Sequence, residues 1–253
     1  MSQENSYLKA LKKFWEITDP TELKFNRVDT LYNEDRTDEL FDALVEERVA
    51  WLLRNLELPE NPKILEIGCG IGSVIKSISQ KLSKNAFFYG VDISSTMIEE
   101  SKINLRLLTN VNLETTDGIS LPSAKNDSID LVICSGVFIH ITDLNVISSI
   151  ISEAKRVLKP NGHFRFNVRY WNPETTFKNT LGGRIAKLLI RNKIYNQSPK
   201  LKISQTDFNG FKFSLNDIDE ICYNNKLCLN SIYFQNSIGK INNGLIRISV
   251  KKI

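Results

Sequence analysis

The stretch from Pro62 to Val74, which reads P-K-I-L-E-I-G-C-G-I-G-S-V, constrains the fold more than any other part of the chain. A short apolar run ends at three glycines, Gly68, Gly70 and Gly72, and apolar residues at helical spacing follow. This pattern predicts a strand, a glycine turn and a helix. Such a turn brings bare backbone N–H groups and a helix N-terminus close to a polar ligand, because glycine has no Cβ to block the approach.

The glycine spacing indicates which ligand the turn receives. A dinucleotide-binding turn has the spacing G-x-G-x-x-G, whereas here the third glycine comes one residue early and Ser73 follows it. Glu66, two residues before the first glycine, would repel a diphosphate but could hold an ammonium group. The turn therefore favours a ligand with an amino-acid moiety and a nucleoside over a nicotinamide dinucleotide.

Beyond the turn, apolar strand-like runs alternate with helical patterns, which is typical of an α/β protein with a parallel sheet. We predict strands over 63–67, 86–91, 111–114, 129–134 and 163–169, and two closing strands over 227–235 and 245–252. We predict helices over 72–83, 95–107, 143–158 and 214–225, preceded by helices over 1–20 and 38–56.

The segment from Glu66 to Gly72 resembles the first motif, E/D-x-G-x-G-x-G, of the class I S-adenosylmethionine-dependent methyltransferases. Further matches follow in the family's order: Asp92 after the second strand, Thr116-Asp117-Gly118 after the third, the fourth strand with its flanks, and the turn R-V-L-K-P-N-G ending at Gly162. The resemblance implies a three-layer, Rossmann-like sheet of seven strands, mostly parallel, with an antiparallel last strand. It also implies S-adenosylmethionine as the cofactor.

The resemblance also implies a role for each matched position. Glu66, with the strand end at Ser135, would hold the amino-acid moiety, Asp92 would accept hydrogen bonds from the ribose diol, and Asp117 would accept one from the adenine amino group. The cofactor residues carried over are Glu66, Gly68, Cys69, Gly70, Gly72, Asp92, Ile93, Met97, Asp117, Gly118, Ser135 and Gly136. Two of these residues have structural alternatives, since Asp92 could be a helix N-cap and Asp117 part of an ordinary Asp-Gly turn.

His140 is the candidate general base, because it follows the fourth strand and imidazole titrates near neutral pH. The alternative is a histidine that only packs. The sequence departs from the family pattern at Ile129, which replaces an aromatic residue, and at Ile139, which replaces the first of two paired histidines. The signature N/D-P-P-Y/F, found in enzymes that methylate bases of nucleic acids, is absent from the sequence.

We divide the chain into an N-terminal helical cap (1–58), a cofactor-binding core (59–169), a substrate lid (170–213) and a C-terminal part of the core (214–253). The lid is far longer than an ordinary connection and contains a basic helical pattern over 181–194, which could face solvent or contact an anion. Candidate substrate contacts are Tyr32, Arg36, Tyr170 and Trp171.

A net charge of +4 is too small to argue for nucleic acid. The four cysteines form no C-x-x-C pair, so we expect reduced thiols, no metal and a cytoplasmic protein, and no apolar run suggests a membrane segment. The expected function is methylation of a hydroxyl or amine of a small molecule, such as a sugar or nucleotide-linked sugar of a surface polysaccharide, by a monomer or homodimer. The alternatives are an RNA methyltransferase and a non-catalytic S-adenosylmethionine-binding protein.

Overall fold

The computed structural model describes residues 6–16, 38–170, 212–235 and 245–253. The described helices are α1 (Ser6–Trp15), α2 (Asp38–Leu53), α3 (Ser73–Ser79), α4 (Ser95–Asn104), α5 (Leu144–Val157) and α6 (Leu215–Asn224), with a 3₁₀ turn at Phe138–His140. The strands are β1 (Lys63–Ile67), β2 (Phe87–Asp92), β3 (Val111–Thr115), β4 (Ile129–Cys134), β5 (Leu158–Tyr170), β6 (Lys212–Phe213), β7 (Leu227–Gln235) and β8 (Leu245–Lys252).

The strands form one sheet in the order β3-β2-β1-β4-β5-β8-β7. All pairs from β3 to β5 are parallel, and the last strand, β8, runs antiparallel to both β5 and β7. The predicted Rossmann-like sheet of seven strands with an antiparallel last strand is therefore confirmed. An eighth, two-residue strand, β6, pairs with the end of β5 and was not predicted.

Helices cover both faces of the sheet, because successive residues of the central strands point in opposite directions. Leu65 and Val132 belong to a core cluster with α1, α5 and α6, whereas Ile64 and Leu131 belong to a second cluster with α2, α3 and α4. The uninterrupted apolar runs of β1 and β4 reflect this burial on both faces. The helix that precedes β1 thus contributes to the same core as the sheet.

The structure corrects several predicted boundaries, including the start of β5 and the end of α3. Strand β5 begins at Leu158 rather than at 163, because Leu158 already pairs with Ile129 across a register shift. The predicted Pro-Asn-Gly turn is an irregularity inside the strand, where Asn161 has a φ of 67°. Helix α3 ends at Ser79 rather than at 83, where the amide of Lys81 bonds the carbonyl of Ile78 in a tighter turn.

Several predicted features lie outside the described residues: Tyr32, Arg36, Trp171, the basic helix and nearly all of the predicted lid. None of the helices within the described ranges is both long enough and apolar enough to cross a lipid bilayer.

Candidate functional site

A cleft opens at the carboxyl edge of the sheet, where β1, β2 and β4 end side by side. This edge is where parallel α/β sheets bind their ligands. The cleft has an empty volume of about 1090 Å³, including the part open to solvent. It is lined by most of the predicted cofactor residues, namely Glu66, Gly68, Cys69, Gly70, Asp92, Ile93, Met97, Gly118, Ser135 and Gly136, and by the predicted base His140.

The glycine turn at the floor of the cleft is fastened to β2. The amides of Gly68 and Cys69 both donate to the carbonyl of Val91, at 2.8 and 3.0 Å, and the amide of Gly70 donates to Asp92 Oδ2 at 2.9 Å. The expectation of bare N–H groups at these positions is therefore wrong, because the neighbouring strand end uses them. The turn offers the ligand a surface without side chains rather than a set of amide donors, which does not suit a phosphate.

Glu66 is the buried acid of the site, with 2% of its surface exposed, and its Oε2 has no hydrogen-bond partner within the described part of the chain. Burial raises the pKa of Glu66 to about 8, against the opposing charge of Arg48, and the charge of Asp92 raises it further. A buried carboxyl oxygen without a partner is costly unless a ligand supplies a donor. An ammonium group that reaches the cleft would supply one.

Asp92 ends β2 and fixes two segments of backbone. Its Oδ2 accepts from Gly70 and its Oδ1 accepts from the amide of Ser94 at 2.9 Å. Burial raises the pKa of Asp92, while these amides oppose the shift. Each carboxylate oxygen has two lone pairs, so both can still accept from a ligand hydroxyl. The helix N-cap of α4 is Ser94, not Asp92, and its hydroxyl accepts from the amide of Met97. Asp92 is therefore not the helix N-cap, which was the structural alternative for this residue.

The third strand end places its residues differently. Gly118 lines the cleft, but Asp117 is exposed and does not, because its carboxylate closes its own turn. It accepts from the amide of Ile119 at 2.8 Å and from the amide and hydroxyl of Ser120 at 2.6 and 2.7 Å. Partial burial raises the pKa of Asp117, but these hydrogen bonds together hold it below its ordinary value. The carboxylate contact with an adenine stays a prediction.

Two side chains of β5 hold the backbone that follows β4. Asn167 Oδ1 accepts from the amide of Gly136 at 2.7 Å, which holds the backbone just past β4 with a φ of 83° at that glycine. Arg169 Nε donates to the carbonyl of Ile139 at 3.1 Å and so anchors the 3₁₀ turn that carries His140. The strand beside β4 thus positions both the predicted methionine-binding backbone and the predicted base.

Helix α1 lies over this cleft and adds an apolar cover. Leu11 and Trp15 line the cleft, and the Trp15 ring meets His140 edge to face, with ring centroids 5.0 Å apart. At its other end, the Tyr7 hydroxyl accepts from the amide of Thr142 at 2.8 Å. The helix therefore shields the imidazole of His140 from water on one side.

Glu16 ties the end of α1 to the first turn of α4. Its carboxylate accepts from the amide of Ser95 at 3.0 Å and from the Thr96 hydroxyl at 2.7 Å. Partial burial raises the pKa of Glu16, but the hydrogen bonds from Thr96 and Ser95 hold it below its ordinary value of 4.5. A negative charge is also favourable at a helix N-terminus. This contribution to stability is present above pH 4.5 and is lost as the pH falls through the lowered pKa.

Replacing Glu16 with alanine is expected to loosen α1. We expect the free energy of unfolding to fall by about 1 kcal/mol, since the site is partly exposed and solvent screens it, and the amides of α1 to exchange faster with deuterium. The matched control is Glu99→Ala, which removes only the surface ion pair with Lys102. Equal exchange rates for α1 in the two variants would contradict the tether.

The sequence analysis did not predict Leu11, Trp15 and Arg48, which line the cleft, or Asn167 and Arg169, which hold backbone beside it. A signal existed for Arg48, since it interrupts the apolar stripe of α2. Gly72 and Tyr170 do not line the cleft. At Gly72, φ is 81° and an added Cβ would meet Leu105, so this glycine serves the turn itself.

Comparison with known proteins finds a family match. The model of the family described as "Methyltransferase domain" matches residues 58–193. An uncharacterized protein of Methanocaldococcus jannaschii is 26% identical over 239 residues, which cover 94% of this chain and 85% of that protein. The matches to two curated relatives, from Streptomyces fradiae and Rickettsia prowazekii, span only 35% and 48% of the lengths of those proteins.

Two solved structures are similar over nearly the whole chain. One is geranyl diphosphate C-methyltransferase from Streptomyces coelicolor A3(2) with Mg2+, geranyl diphosphate and S-adenosyl-L-homocysteine, at 13% identity and a TM-score of 0.64, with 98% of each chain covered. The other is magnesium protoporphyrin IX methyltransferase from Synechocystis PCC 6803 with bound S-adenosylhomocysteine, at 18% identity and a TM-score of 0.60, covering 97% of this chain and 99% of that one. At these identities the likeness shows a shared fold.

Proposed function

The chain belongs to the methyltransferase domain family, and on that premise we propose that it transfers the methyl group of S-adenosylmethionine to a hydroxyl or amine of a small molecule. The observation that carries the proposal is a pair of carboxyls in one largely apolar cleft, the buried Glu66 and the half-buried Asp92. Glu66 has an oxygen without a partner for the ammonium group, and Asp92 has spare lone pairs for the ribose diol.

We assign a separate role in methyl transfer to each group of cleft residues. When bound, S-adenosylmethionine supplies a methyl group that its sulfonium already activates. Glu66 and Asp92 orient that group, and Leu11 and Trp15 keep water away from it. We assign to His140, on the turn held by Arg169, the role of accepting the proton that a hydroxyl acceptor loses. Ile93, Met97 and Gly118 form the wall on which we place the adenine.

Three observations bear on the class of acceptor. The two structural neighbours act on small organic molecules according to their names, and Leu11 and Trp15 add apolar surface beside His140. The basic segment over 181–194 is the reason to keep sugars and nucleotide-linked sugars among the acceptors.

We also propose a cytoplasmic location, since all four cysteines are unpaired in the described structure.

Release of S-adenosylhomocysteine tests the proposal. The purified protein is incubated with S-adenosylmethionine and, separately, with sugars, nucleotide sugars, amines, carboxylates, apolar alcohols and total RNA. We expect turnover with one small-molecule class and none with RNA. Turnover with RNA alone would replace the proposal with an RNA methyltransferase. Cofactor binding without turnover on any acceptor would favour a binding protein instead.

The raised pKa of Glu66 leads to a pH prediction. At neutral pH most of this carboxyl is protonated in the unliganded protein, whereas an ammonium group binds the ionised form. The affinity for S-adenosylhomocysteine should therefore rise by up to about tenfold per pH unit between pH 5.5 and 7.5, where an α-amino group still keeps its proton. Calorimetry in buffers of different ionisation enthalpy should also detect the released proton.

Glu66→Gln is the control for this pH dependence, because an amide does not titrate. We expect weaker binding and a flatter dependence of the affinity on pH, with the residual slope coming from Asp92. The stability of the unliganded protein depends on pH in the opposite direction to the ligand affinity. A carboxyl whose pKa rises on folding stabilises the fold below its ordinary pKa of 4.5, and that contribution is lost as the pH rises through about 8. If the ligand affinity of Glu66→Gln depends on pH as steeply as that of the wild type, Glu66 is not the group that binds the ammonium.

A further inference from the structure

One wall of the cleft is a loop without regular secondary structure. It belongs to the connection 116–128 between β3 and β4, which forms neither helix nor strand over its whole described length. A connection of this length without secondary structure is uncommon and is often functional. We call residues 116–126 the base loop. Its first half lines the cleft through Thr116, Gly118, Ile119, Ser120 and Leu121.

The two halves of the base loop are held by different parts of the fold. In the first half, the amide of Thr116 donates to the carbonyl of Asp92 at 2.9 Å, and the Asp117 carboxylate closes the turn that follows. The second half is held from α5 by an ion pair, Glu153 and Arg156, whose nearest atoms are 2.8 Å apart. The base loop is therefore attached to the sheet at one end and to α5 at the other.

Arg156 is the centre of the attachment to α5, because all five N–H donors of its guanidinium are used. Nε and Nη2 donate to the two carboxylate oxygens of Glu153, both at 2.8 Å. Nη2 also donates to the Leu121 carbonyl at 3.0 Å, and Nη1 donates to the Ala124 carbonyl at 3.1 Å and to Asn126 Oδ1 at 2.7 Å. One side chain thus binds three points of the base loop.

Glu153 completes a clamp on Leu121, a buried residue that lines the cleft. The amide of Leu121 donates to Glu153 Oε2 at 3.1 Å, while its carbonyl accepts from Arg156, so one ion pair holds both backbone polar groups of this residue. The hydrogen bond from Arg156 holds the pKa of Glu153 below its ordinary value, against partial burial. Glu153 is therefore ionised at neutral pH, and the clamp is closed there.

The position of the base loop affects the room that is left for a ligand. Gly118 lies close to Ile93, since an added Cβ on this glycine would be 2.8 Å from Ile93 Cδ1. Both residues line the cleft on the wall where we place the adenine. A small displacement of the loop changes the distance from its acceptor atoms to the amino group of the base, and hydrogen bonds weaken steeply when their geometry is lost.

We propose that Glu153 and Arg156 are positioning residues that set the preference of the cleft for adenine over other bases. This inference rests on the proposed function, since it concerns the base of the same cofactor. The amino group of adenine is a hydrogen-bond donor, and a site rejects a base without that donor only when its own acceptor is held in place. The clamp from α5 holds the loop that carries such acceptors.

The competing interpretation is that the ion pair only stabilises the fold. A partly exposed pair one helical turn apart contributes little stability by itself, which leaves its contacts with the base loop to be explained. Lower stability reduces the fraction of folded protein but does not change the relative affinity of the folded protein for two ligands. A displaced loop does change that ratio, so the ratio separates the two interpretations.

The experiment compares S-adenosylhomocysteine with S-inosylhomocysteine, in which an oxo group replaces the amino group of the base, by calorimetry on the full chain. We expect the wild-type protein to bind the first about 10- to 100-fold more tightly. In Arg156→Met this preference should fall to about threefold or less. It should be intermediate in Arg156→Lys, which has fewer donors, and in Glu153→Gln, which keeps an acceptor for the amide of Leu121.

Lys252→Met is the matched control. Lys252 bonds Asp127, just beyond the base loop, and the carbonyls of Lys155 and Leu158, but none of its contacts involves the loop itself. This variant removes a cation that also ties the connection to α5, so it should melt at a lower temperature. We expect it to keep the wild-type preference for S-adenosylhomocysteine.

A wild-type preference in Arg156→Met, whatever its stability, would overturn the inference and leave the ion pair with a structural role only. Loss of the preference in Lys252→Met to the same extent would also overturn it, as would equal affinity of the wild-type protein for both ligands. In each of these cases the proposed function would stand. Failure of the wild-type protein to bind either ligand would instead contradict the proposed function. If Arg156→Met does not fold, Arg156→Lys and Glu153→Gln give the same test, since both must show a lower preference than the wild type.

Discussion

Asp92→Ala is expected to weaken binding of S-adenosylhomocysteine by about 100-fold or more. Each hydrogen bond from a ribose hydroxyl to a charged acceptor contributes about 1.5 to 3 kcal/mol, and in the proposed site Asp92 accepts two. The substitution also leaves the amides of Gly70 and Ser94 without their acceptor, so the glycine turn loses its attachment to β2. Calorimetric titration of the folded variant measures the loss directly.

Asp130→Ala is the matched control for Asp92→Ala. Asp130 is also a largely buried carboxylate that accepts from a backbone amide, that of Lys63 at 2.8 Å, but it does not line the cleft. We expect this variant to melt at a lower temperature and to bind the ligand with nearly wild-type affinity. Asp92→Asn keeps one acceptor oxygen and should fall between the wild type and Asp92→Ala. Affinity within threefold of wild type in Asp92→Ala would contradict the ribose assignment.

Gly68→Ala is expected to have the second largest effect. The φ of Gly68 is 71°, a conformation that costs an L-residue about 1 to 2 kcal/mol, and an added Cβ would lie 2.2 Å from Val137 Cγ2. Relief of that overlap costs about 1 to 3 kcal/mol more, because a valine side chain is stiff. The free energy of unfolding should therefore fall by about 2 to 5 kcal/mol, as measured by urea denaturation.

Two further variants separate the overlap from the backbone strain. Gly70→Ala has a φ of 52° but an open Cβ position, so it should lose about 1 to 2 kcal/mol of stability and still weaken ligand binding. Gly68→Ala combined with Val137→Ala removes the overlapping methyl group and should regain part of the stability of Gly68→Ala. If the double variant is less stable than Gly68→Ala by the full cost of a separate Val137→Ala, the overlap is not the cause.

The positions of the strands along the chain and the tips of β1, β2 and β4 could be predicted because their causes are local. Strands buried on both faces are continuous apolar runs, and a carboxylate that directly follows such a run must lie at the edge of the sheet. Strand β4 and the two closing strands have the predicted bounds. The positions of Glu66 and Asp92 in one cleft follow from the same reasoning, as both end neighbouring parallel strands.

The remaining parts of the site depend on tertiary contacts that no local pattern encodes. The apolar face of α1 was visible in the sequence, but its docking over His140 depends on Glu16 meeting Ser95 and Thr96 far along the chain. The glycine motif predicts the turn but not that Val91 and Asp92 take up its amides. The sequence left two roles open for Asp117, a contact within its own turn or a contact with a ligand. The structure shows the contacts within the turn.

Direct calorimetric titration of the full chain with S-adenosylmethionine tests whether this cleft is a methyl-donor site built on Glu66 and Asp92. We expect one binding site per chain, loss of binding in Asp92→Ala, and no comparable binding of a nicotinamide dinucleotide. Absence of binding heat at millimolar ligand, or binding that Asp92→Ala and Glu66→Gln leave unchanged, would contradict this assignment.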